Sequence, residues 1–105
     1  MSDRYLLELA AKAAGIDGAW DEAWTEYIAP TSKSSEGMFW RPLTSDGDAF
    51  RLAVKLRMQL TISPNNCDVY LPEHDVGESE YSLDPRVATR RAIVLAAAQI
   101  GKSKA

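Results

Sequence analysis

The chain is poor in the residues that most often carry chemistry. It holds one cysteine, Cys67, and one histidine, His74. A single cysteine excludes an internal disulfide and suits a reducing compartment. Cys67 has no cationic neighbour in sequence, and its place in an alternating apolar pattern marks it as a small core residue. His74 sits among Glu73, Asp75, Glu78 and Glu80. That cluster lacks a second histidine, a nearby cysteine and the spacing of a calcium loop, so a solvated acidic loop is expected rather than a metal site. The six glycines form no phosphate-cradling loop, and neither a G-x-S-x-G elbow nor a two-cysteine metal motif occurs. No cofactor and no catalytic residues are expected. Long apolar runs are missing too. The stretch from Ala92 to Ile100 is about half of what a bilayer span needs, and Glu8 and Lys12 interrupt the opening MSDRYLLELAAKAAG, so neither a membrane span nor a signal peptide is read. A cytoplasmic protein with no membrane partner is the expectation.

What is present suffices for one folded unit. With 105 residues, 46% apolar and 26% charged, the chain can bury a core without staples and reads as one domain over 1–105. The net charge of −3 argues against a general nucleic-acid coat. The charge is unevenly spread. Residues 1–50 carry nine acids against four bases, while residues 85–105 carry Arg86, Arg90, Arg91, Lys102 and Lys104 with no acidic side chain. Cations toward the end of a helix complement its dipole, and that is the plainest reading of the asymmetry.

The elements follow from spacing. Ser2 or Asp3 can cap a helix over about 3–14, in which Leu6, Leu9, Ala10 and Ala13 make one apolar stripe and Gly15 takes the left-handed stop. From Ala19 to Pro30 two patterns compete. Trp20, Ala23, Trp24, Tyr27 and Ile28 fit a helical stripe, yet the density of aromatics suits strands. Two short strands around 24–29 and 37–41 would form a hairpin about a flexible polar loop at 31–37. Pro42 forces extended backbone at Arg41, and Ser45 or Asp46 can cap a helix over about 46–57 with Ala49, Leu52, Ala53 and Leu56 inward and Asp48, Arg51 and Lys55 outward. The period then switches to alternation, giving an antiparallel hairpin 58–63/67–71 about Pro64-Asn65-Asn66. Residues 73–80 read as a loop, with a short edge strand available at 79–83. Asp84-Pro85 opens a third helix over about 85–100, ended by Gly101, with a frayed tail at 102–105. The fold class is therefore α+β: three helices packed on a small antiparallel sheet.

The segments LLELAAKAAGID, WRPLTSDGDAFRLAVKL and DPRVATRRAIVLAAAQIG together resemble the phage ABA sandwich domain, which is related to the NinX-like small bacteriophage proteins of unknown function. The block over residues 40–49 is the most specific part. The resemblance implies an α/β sandwich, a strand between residues 19 and 37, a phage or prophage origin and the cytoplasm of a bacterial host. It implies no catalytic residues.

Three functional readings stay open. The leading one is a non-enzymatic accessory protein that binds a host or phage protein, or a second copy of itself, through some of Trp20, Trp24, Trp40 and Arg41, since tryptophan is favoured at interfaces. A second is a nucleic-acid-associated protein that uses Arg86, Arg90 and Arg91 of the basic C-terminal helix, although Arg90 and Arg91 point to different sides of it. The third, an enzyme or metal-dependent hydrolase on the 73–80 carboxylates and His74, has the least support.

Overall fold

The computed structural model describes residues 2–29 and 39–104. Helix α1 spans Asp3–Ala14 and begins where Ser2 Oγ accepts the Tyr5 N–H at 3.2 Å. It ends at Gly15, whose φ of 69° lets Ile16 N–H return to the Ala11 carbonyl at 2.9 Å.

The competition between helix and strand after Gly18 is settled as strand. Ala19–Asp21 (β1), Glu26–Ile28 (β2) and Phe39–Trp40 (β3) form an antiparallel sheet in that order. Asp21 Oδ1 accepts the Trp24 N–H at 3.0 Å and shapes the β1–β2 turn, in which Thr25 takes a φ of 52°. Trp20 pairs across to Tyr27, and Tyr27 to Trp40, so these three share one face while Trp24 is left at the turn. The expected strand 24–29 is thus shorter than read, the described part of 37–41 is strand at Phe39–Trp40, and β1 is an additional strand. The expected loop at 31–37 falls outside the described residues.

Helix α2, Asp46–Lys55, is capped by Ser45 Oγ, which accepts the Asp48 N–H at 3.2 Å. One expectation here is overturned. Asp48 does not face water: it is 1% exposed. Its carboxylate accepts the Arg41 N–H at 2.9 Å and the Arg51 guanidinium at 2.6 Å, which pins the Trp-x-Pro turn to the first turn of α2. The helix stops two residues before the expected 57, with neither glycine nor proline. Arg57 adopts a φ of 55°, and Met58 N–H bonds the Ala53 carbonyl at 3.0 Å, a Schellman closure made by a non-glycine residue.

Gln59–Ser63 (β4), Asn66–Leu71 (β5) and Val76–Tyr81 (β6) form a second antiparallel sheet in sequence order. The predicted hairpin is present, with Ser63 paired to Asn66 across a two-residue turn. The expected acidic loop at 73–80 is corrected: only residues 72–75 turn, and β6 pairs with β5 over its full length. Its acids Glu78 and Glu80 alternate with Gly77, Ser79 and Tyr81, a polar pattern that hides an extended edge strand.

Helix α3, Pro85–Ser103, is the common partner of α1, α2, β5 and β6. It is buried nearly all round through Ala88, Ala92, Ala96, Ala97 and Ala98, small residues that let backbones approach. Gly101 does not end it, and the frayed tail shrinks: Lys102 and Ser103 are helical, and Lys104 Nζ reaches the Ala13 carbonyl at 3.3 Å. The glycine serves packing instead, since a β-carbon there would lie 1.9 Å from the Leu9 carbonyl oxygen of α1.

Two stability tests follow. Gly101→Ala should destabilise the fold by about 1–3 kcal/mol in urea titration, because α1 and α3 must separate. If Gly101 only weakened the helix, the same change would stabilise by about 1 kcal/mol. Asp48→Ala should cost about 2–4 kcal/mol, because it strips an acceptor from the Arg41 amide and a charge partner from Arg51.

Candidate interaction surface

The three tryptophans do not form one patch. Trp40 is 2% exposed and packs edge-on against Tyr27, ring centroids 5.5 Å apart. Trp20 is half-buried against the same core. Trp24 alone is open, at 65% exposure, and its ring leans on Phe39 at 5.8 Å. Arg41 completes that small platform, with its guanidinium 4.6 Å from the Phe39 centroid and its Nε 3.0 Å from Glu26.

The arginines of α3 each hold a carboxylate. Arg90 is largely buried, donating to the Leu43 carbonyl at 2.9 Å and to Asp46, so it ties α3 to the start of α2. Arg91 pairs with Glu80 of β6 at 3.2 Å and with Asp3 of α1 at 3.7 Å. Arg86 pairs with its neighbour Asp84 at 3.4 Å. These cations are balanced locally by acids, which leaves little unopposed positive potential for a phosphate backbone.

Nor do the acids and His74 gather. Glu73 pairs with Arg57 at 3.6 Å, Asp75 accepts the Tyr70 hydroxyl at 3.0 Å, and among the described residues no three His, Cys, Asp or Glu stand close enough to hold a metal ion. Cys67 is fully buried on the inner face of β5, and burial, with the Asp68 charge adding to it, pushes its thiol pKa up. A thiol so placed is a core residue and not an accessible nucleophile. Among the described residues, no helix is long and apolar enough to cross a membrane.

A further apolar surface lies elsewhere. Between α2 and β4, over the first turns of α3, runs an open groove of about 500 Å³. Ala49 and Phe50 form one wall, Leu60 and Ile62 the other, and Ile93 the base, with Arg86 at the rim. Phe50 is 65% exposed and Ile62 58% exposed, with Val54 open one turn further along α2. Burial of the Ala49, Leu52 and Ala53 stripe turns Phe50 and Val54 outward. Ile62 is the inward neighbour of Cys67 in register, yet it stays exposed beside the first turns of α3. The sequence held a signal for this surface: Phe50 and Val54 are an i, i+4 apolar pair off the main stripe of α2.

The two edges of the β4–β5–β6 sheet are unlike. On β6, Glu78 and Glu80 lie opposite Val69 and Cys67 and therefore point to the inner face. Inward-pointing charges keep a foreign strand from docking. β4 reads Gln59-Leu60-Thr61-Ile62-Ser63, with no charge and no proline.

Comparison with protein-family models, with curated proteins and with solved structures finds no match, so the geometry of the groove and of the free edge carries the functional reading.

The inward charge on β6 has a measurable consequence. Burial raises the Glu78 carboxyl pKa above its ordinary 4.5, and the nearby Glu80 charge adds to the shift. The folded chain therefore holds that proton more tightly than the unfolded chain, so stability falls as pH rises from 4.5 through the folded pKa. Glu78→Gln should be more stable than the parent at pH 7, and the advantage should shrink as pH falls toward 4.5, read by urea titration across that range.

Proposed function

We propose that this chain is a small non-enzymatic accessory domain that binds another protein chain through the groove between α2 and β4. The carrying observation is the groove itself, in which Phe50 and Ile62 are 65% and 58% exposed beside Leu60. Contiguous apolar surface on a small domain marks an interaction site, and an aromatic beside branched aliphatics is the composition of an anchor pocket. The Trp24–Phe39–Arg41 platform is smaller, and its Arg41 is already paired with Glu26. The resemblance carried by residues 40–49 supports a bacteriophage or prophage setting, in the cytoplasm of a bacterial host, for this binding role.

The test uses side chains that do not hold the monomer together. Phe50→Glu should change stability by no more than about 0.5 kcal/mol, because the ring is largely in solvent. It should weaken association with the partner, whether a host protein captured from lysate or another copy, by about 30-fold, the effect of losing an anchor worth ~2 kcal/mol. Unchanged capture together with an unchanged solution mass would overturn the proposal.

A further inference from the structure

We infer that the chain filling this groove is a second copy of the same protein, paired edge to edge through β4 about a two-fold axis at Thr61. The inference rests on reading the α2–β4 groove as a protein-binding surface, and it names the partner. Among the described residues, β4 pairs with β5 on one side and with no strand on the other. Its five residues run in unbroken register with β5, from Gln59 opposite Tyr70 to Ser63 opposite Asn66, so no bulge twists the outer edge away. An edge with neither charge, proline nor bulge is a template for another strand. The opposite edge, β6, carries the inward Glu78 and Glu80, so the protection is one-sided.

The sequence of β4 matches itself. Antiparallel pairing about Thr61 sets Leu60 against Ile62 of the partner subunit, Gln59 against Ser63 of the partner subunit, and Thr61 against its own copy. Apolar meets apolar on the groove face, polar meets polar on the solvent face, and no charges oppose each other. An axis placed between two residues instead would bring the groove face of one copy beside the solvent face of the other. An axis at Leu60 or Ile62 would leave part of the strand unpaired.

The pairing joins two three-stranded sheets into one of six strands. Leu60 and Ile62 of the partner subunit extend the apolar wall beside Phe50. The outer edges of the combined sheet are then the two charged β6 strands, so assembly closes at two copies. An isologous contact of this kind is the commonest symmetry of soluble oligomers.

Light scattering and sedimentation over a concentration series should give twice the 11.6 kDa chain mass. Ile62→Lys should shift the species to monomer by about 30-fold or more in dissociation constant, with its urea midpoint close to that of the parent at concentrations where the parent is itself monomeric, because Ile62 is 58% exposed. Thr61→Cys should oxidise to a covalent dimer. Gln59→Cys should not, because two copies of residue 59 would stand roughly 14 Å apart, four residues at ~3.4 Å each. Cys67 is buried and stays silent in both. A dimer that survives Ile62→Lys and does not cross-link at position 61 would overturn the inference. So would a strict monomer. If that monomer still captures a host protein that Phe50→Glu releases, the binding role of the groove stands without self-pairing; if Phe50→Glu changes nothing, both readings fall.

Discussion

The fold depends on a buried carboxylate. Asp48 lies in the first turn of α2 with 1% exposure and accepts from the Arg41 amide seven residues earlier and from the Arg51 guanidinium one turn later. A carboxylate taken out of water is costly unless its lone pairs are filled, and here they tie the backbone at Arg41 to the first turns of α2. The Arg41 amide belongs to the residue after Trp40, so the bond sets where the indole enters the core. The same residue sits at the positive end of α2, which favours its charge. The turn, the cap and the position of Trp40 are thus one unit, and the direction in which α2 leaves that unit decides which of its side chains face out.

α3 is the second constraint. Its alanines and Gly101 let α1 approach so closely that a β-carbon at Gly101 would collide with the Leu9 carbonyl. Arg90 and Arg91, which look in sequence like a basic surface, are spent on this arrangement: one grips the Leu43 carbonyl and Asp46, the other reaches Glu80 and Asp3. α3 packs mainly on β5 and β6 and less on β4, and Ile62 on the inner face of β4 stays exposed. Phe50 on α2 flanks that exposed residue. The groove is therefore a consequence of how α2, β4 and α3 pack together, not of any motif.

The proposed pairing rests on the same asymmetry. One edge of the β4–β5–β6 sheet turns carboxylates inward; the other is neutral and faces open apolar surface. Charge on an edge opposes pairing, and its absence beside an uncovered groove favours pairing. Glu73, Asp75 and Glu80, which look like candidate chemistry in sequence, are engaged with Arg57, the Tyr70 hydroxyl and Arg91.

Local chemistry by itself determined much of this protein. Ser2, Ser45 and Asp84 cap the three helices as their positions require, Gly15 stops α1, and the alternation around Pro64 makes the β4–β5 hairpin. These signals act within a few residues, where side chain and backbone meet directly, so they are legible one segment at a time. What only the tertiary structure decided depends on neighbours distant in sequence. The cross-strand partners Tyr27 and Trp40 made strands of a stretch with helical spacing, and a bond to Arg41 drew Asp48 inward from a place that looked solvated. α1 turned Gly101 from a stop into a contact, and β5 turned an acidic loop into the strand β6. The groove belongs to this second group. Phe50, Leu60, Ile62 and Ile93 come from three elements, and whether such side chains are core or surface is set by how those elements pack.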